Sequence, residues 1–186
     1  MKILGANLPV SGWTVAALVA GGAISMLVWR PLARWTRWRS GATLGALLSL
    51  TAIAALTVTP KGTRPTLGLA ACLPYDWNDF VFNAFHTGGG SAGDVFNFLL
   101  MFPLTFSLVL ATRRVVPVVI LSLVLPTAIE FLQTALPGRS CAVSDMVTNS
   151  AGAVLGAVLG WIVDLRSRGR HAEPGRQKSG QQSVGP

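Results

Sequence analysis

The chain has 186 residues, of which 51% are hydrophobic and only 12% charged; its mean hydropathy is +0.55 and its formal charge +8. Soluble domains carry about 25% charged residues, so an ordinary globular domain is excluded. The basic surplus does not indicate nucleic-acid binding either, because the Lys and Arg residues flank apolar runs and no recognition motif accompanies them.

Uncharged runs at 8–29, 41–59, 95–112 and 146–163, together with the apolar run 115–136 whose single charge is Glu130, are each 18–22 residues long. A helix of about 20 residues, rising about 1.5 Å per residue, crosses roughly 30 Å of hydrocarbon. None of the five carries a charged stripe at helical spacing. The predicted fold is therefore all-α, a polytopic membrane bundle of about five transmembrane helices in residues 1–164. A basic, Gly/Ser/Gln-rich cytoplasmic tail, 165–186, is expected to be disordered.

The first run follows Lys2, as a secretory signal would, but it lacks an Ala-x-Ala site and ends in Trp29-Arg30. A retained helix with an interface anchor is expected. The connection from Trp29 to Arg39 alternates Trp and Arg and should lie against anionic headgroups. Eleven of the fifteen Lys and Arg residues lie at 30–39, at 113–114 or beyond the fifth run. The positive-inside rule then places the N-terminus outside, the C-terminus in the cytoplasm, and the protein in the cell membrane.

In the long connection after the second run, Trp77–Phe85 reads as a short interfacial helix, and the adjoining His86 reads as a loop residue. Cys72 and Cys141 both fall in external connections. Free thiols are expected there, with a disulfide as the alternative.

The remaining polar residues gather near one level. Asp94 and Asn97 open the third span, Glu130 and Gln133 share a face near the end of the fourth, and Asp145 and Asn149 open the fifth. Arg139, in the turn between them, offers a positive partner. Asp94 and Asp145 equally suit helix N-termini, and Asn97, Gln133 and Asn149 equally suit interhelical hydrogen bonds. Glu130 is the deepest carboxylate, and burial at membrane depth implies either a structural partner or a ligand. Glu130 and Asp145 are the catalytic candidates if the chain is an enzyme. No metal or cofactor motif is present, and none is expected. Gly152, Gly156 and Gly160 repeat on one face of the fifth span, for packing within the protomer or, alternatively, for a homodimer.

The ordered set Asp94-x-x-Asn97-x-x-Leu100-x-Phe102-Pro103-Leu104, Ile129-Glu130-x-x-Gln133, Arg139 and Asp145-x-x-x-Asn149-x-x-Gly152-x-x-x-Gly156 resembles the VanZ-like family over about residues 45–163. That resemblance implies a bacterial integral membrane protein, in a family whose founding member is associated with teicoplanin resistance. It supplies no settled chemistry. The expectation is an envelope protein whose outer-half cleft, formed by Asp94, Asn97, Glu130, Gln133, Arg139, Asp145 and Asn149, recognises a lipid, cell-wall precursor or glycopeptide-like ligand. A membrane-embedded transferase or hydrolase, and a structural or transport role, are the alternatives.

Overall fold

The computed structural model describes residues 2–3, 6–7, 11–58, 76–85, 92–137 and 141–171. Among the described residues, a minimal antiparallel ribbon, β1 (Lys2–Ile3) with β2 (Ala6–Asn7), precedes six helices. These are α1 (Gly12–Thr36), α2 (Ser40–Thr57), α3 (Trp77–Phe85), α4 (Ala92–Thr112), α5 (Val115–Gln133) and α6 (Val143–His171). Five of them are long and apolar enough to cross a membrane, and α3 falls where the short interfacial helix is predicted.

Local chemistry sets several ends. Ser11 starts α1 with a capping box: Thr14 N–H donates to Ser11 Oγ at 3.2 Å and Ser11 N–H to Thr14 Oγ1 at 3.3 Å, satisfying amides that have no intrahelical acceptor. Arg37 ends α1 in the left-handed region, at φ 59°, and Arg113 ends α4 at φ 58°. Both tight turns into the next helix thus rest on an arginine in a conformation uncommon for residues with a Cβ.

Two boundaries differ from those read in the sequence. α1 does not stop at Arg30 but continues through Pro31 and Arg34 to Thr36, so most of the Trp/Arg-rich connection is helical. α6 likewise runs past residue 164 to His171, so residues 165–171 are helix and not disordered tail. The reason is electrostatic: Arg166 and Arg168 place positive charge toward the negative helix C-terminus, and Asp164 pairs with Arg168 one turn on.

The tightest packing joins α4 and α6. A methyl at Gly152 or Gly156 would run into the carbonyl oxygens of Phe98 and Phe102, and one at Gly160 would lie 2.9 Å from that of Phe106. The constant offset means that α4 and α6 run parallel with their backbones almost touching, as small residues allow. Thr105 Oγ1 locks the pair by donating to the Ala153 carbonyl at 2.6 Å. The glycine face of the fifth span is therefore filled by α4 of the same chain.

α2 packs antiparallel on α4, where Gly45 faces Ser107. Ala46 and Ile53 of α2, Met101 and Leu104 of α4, Ile129 of α5 and Ala153 of α6 form the main apolar core. α1 rests on α2, with Ser25 Oγ and Thr51 Oγ1 sharing a hydrogen bond at 3.1 Å. Its other faces expose Val19, Leu27 and further apolar side chains, as lipid contact requires. Trp13 and Trp35, 80% and 84% exposed, stand about 33 Å apart along α1 at 1.5 Å per residue. That separation matches a hydrocarbon slab with an aromatic belt at each surface.

Candidate polar site at the Glu130 end

Parallel packing brings the starts of α4 and α6 to the same end of the bundle, where α2 and α5 finish. The offset between Phe98 and Gly152 sets Asp94 at the level of Thr148, next to Asn149. Asp94 and Asn149 are buried, whereas Asn97 and Asp145 are half-buried. Asp94 and Asp145 lie in the first turns of their helices, where negative charge is favoured by the exposed amides.

Glu130 is only 1% exposed. Its Oε2 accepts the amide of Ala142 at 3.1 Å, and the Ala142 carbonyl accepts the amides of Asp145 and Met146 at 3.1 and 3.2 Å. Ala142 therefore links Glu130 of α5 to the first turn of α6. The same geometry connects Glu130 to Asp145 through one residue, although they come from different helices.

Gln133 turns elsewhere. Its Nε2 donates to the Thr57 carbonyl at 3.4 Å, tying α5 to the end of α2. It thus provides a donor to a carbonyl that lacks a helical partner at the C-terminus of α2. Asn149 Oδ1 is buried and has no hydrogen-bond partner among the described residues, an uncommon state for a buried polar atom. Arg139 and His86 lie outside the described residues. Among the described residues, no three His, Cys, Asp or Glu side chains group to hold a metal ion.

The expectation of free thiols is corrected: Cys141 is disulfide-bonded. Cys72, the other cysteine in the sequence, lies outside the described residues. The bond fixes the chain immediately before Ala142, and so steadies the contact with Glu130.

Sequence reasoning also missed Asp164. It is buried at the opposite end of the bundle, with Arg39 Nη1 at 3.2 Å, Arg113 Nε at 4.0 Å, and Arg168 Nη2 in contact with its other oxygen. The available signal was its position at the end of an apolar run, four residues before Arg168.

Five long apolar helices, lipid-facing apolar surfaces and an internal glycine seam define a multi-pass helical membrane protein. The sequence model of the VanZ/LLP1 family matches residues 44–164, and the chain belongs to that family. The match covers nearly all of α2 together with α3 to α5 and most of α6, and leaves α1 outside. No curated protein and no solved structure matches the chain.

Proposed function

We propose that this chain is a cell-envelope protein whose Glu130 end recognises the polar part of an amphiphile: a lipid headgroup, a cell-wall precursor or a glycopeptide-like molecule. The observation that carries the reading is the buried Asn149 Oδ1, unpartnered among the described residues, near the level of Asp94 where two parallel helices begin. A donor from a ligand would satisfy that oxygen. Asp145 and Asn97, the more accessible members, make the first polar contacts, and Glu130 positions Asp145 by holding the start of α6 through Ala142.

This division of labour gives Glu130 a positioning role. A general base must reach the proton that it removes, and Asp145 is the better exposed of the two carboxylates for any such step. The orientation that suits the reading places the Glu130 end outside. Two independent features favour it: arginines crowd the opposite end, as cytoplasmic ends do, and a disulfide at Cys141 belongs to an oxidising compartment. Altered presentation of the bound molecule at the cell surface would then change susceptibility to teicoplanin-type antibiotics.

The test is binding of teicoplanin and of a polyprenyl-linked cell-wall precursor to the purified protein in nanodiscs. Asn149→Leu and Asp145→Asn should each lose binding of one of these probes while keeping the wild-type melting temperature. Undiminished binding and an unchanged susceptibility phenotype in both variants would sink the proposal.

A further inference from the structure

Asp164 gathers more positive charge than it can neutralise. Arg39 comes from the α1–α2 turn, Arg113 from the α4–α5 turn and Arg168 from α6 itself, so three guanidinium groups meet one buried carboxylate. Arg39 also reaches Ser167 Oγ through Nη2 at 3.4 Å, and Ser167 Oγ donates to the Asp164 carbonyl at 2.8 Å. The arrangement is held from several sides. Its charge nonetheless remains in surplus, because a single carboxylate balances only one of the three cations.

The surplus is accessible. The side chains of Arg113 and Arg168 are each 52% exposed, and every guanidinium carries five N–H donors in a rigid fork. A carboxylate has too few lone pairs to occupy them all. Depth is marked by tryptophans: Trp35 is exposed at the end of α1, and Trp161 is exposed one turn before Asp164 on α6. Tryptophan settles at headgroup level, so the cluster lies where lipid phosphates lie.

We infer that Arg39, Arg113 and Arg168 form a seat for a phosphate group at the membrane surface, with Asp164 as the fixed counter-charge that holds the three forks together. Arginine forks match phosphate oxygens two at a time, and basic pockets between membrane helices are suited to anionic headgroups. The phosphate belongs to an anionic lipid or is free in solution. This site is separate from the Glu130 end and does not depend on its reading.

The experiment uses the full chain in nanodiscs of phosphatidylcholine, titrated with phosphatidylglycerol or with inorganic phosphate, and reads bound ligand by native mass spectrometry. Phosphatidylglycerol should bind, Arg113→Gln should weaken it about fivefold, and Arg114→Gln, which alters the neighbouring arginine outside the cluster, should not. Binding of inorganic phosphate with the same Arg113 dependence would support the seat and assign it a soluble phosphate. No binding of either probe, or equal losses in Arg113→Gln and Arg114→Gln, would overturn it. Should Arg113→Gln not fold, Arg113→Lys preserves the charge without the fork: weaker binding than wild type supports the seat, and unchanged binding overturns it.

Discussion

The carboxylate of Glu130 and the amide of Ala142 meet at 3.1 Å, joining the end of α5 to the residue from which α6 sets out. Ala142 immediately precedes the first helical residue, Val143. Its amide is therefore among those that no carbonyl of α6 can satisfy. A carboxylate delivered from another helix satisfies that donor and also meets the positive end of α6. Glu130 consequently contributes to the bundle in a way that an apolar residue of the same volume would not.

Removing that acceptor should be costly. Glu130→Ala is expected to destabilise the protein by roughly 2–4 kcal/mol, through an unsatisfied amide and a cavity. Glu130→Gln keeps an acceptor oxygen and should lose about half as much. Unfolding in detergent, together with hydrogen exchange of residues 142–146, measures both; equal losses would show that the charge matters and the hydrogen bond does not.

Along the α4–α6 seam, Gly156→Ala should destabilise by about 1–3 kcal/mol, because the added methyl meets the Phe102 carbonyl and Thr105 Oγ1. Gly22→Ala on α1 has open space around it and should melt as wild type does. Similar melting temperatures for the two variants would contradict the close backbone approach.

At the other end, Asp164→Ala should cost about 1–3 kcal/mol. That is below the roughly 3–5 kcal/mol of a fully buried pair, because solvent screens the half-exposed Arg113 and Arg168. Arg39→Ala should exceed Arg113→Ala, since Arg39 makes the closer contact at 3.2 Å against 4.0 Å. Melting curves at low and high salt give the ranking, and added salt should narrow the differences. A larger effect at Arg113 would refute the assigned geometry.

The disulfide at Cys141 predicts that thiol reagents label the unreduced protein at neither cysteine and the reduced protein at both. Cys141→Ser should lower stability by about 2–4 kcal/mol, with the loss concentrated at the start of α6. Labelling without reductant would show the thiols to be free.

How much of this was legible beforehand varies by residue. The five spans and the α3 segment follow from hydropathy and aromatic spacing, because a bilayer imposes length and composition on each helix separately. The gathering of Asp94, Glu130 and Asp145 at one end follows from alternating helices. What each side chain touches does not. Gln133 shares a helical face with Glu130 in any projection, yet it reaches α2 while Glu130 reaches α6, since one face of α5 borders two neighbours. Asp164 escaped notice for a related reason: its partners come from turns far apart in the chain, and a count of charges records each arginine without its partner. The helical ends at Thr36 and His171 were missed because charged residues look like connections until their pairing is seen.

The seam between α4 and α6 has a mechanical consequence. α6 carries Asp145 near one membrane surface and Asp164 near the other, about 28 Å apart at 1.5 Å per residue. With carbonyls of α4 lodged against its glycines over much of that length, α6 has little freedom to bend there. A rod held in this way transmits displacement along its axis, so a shift of its Asp145 turn would carry to the arginines gathered around Asp164.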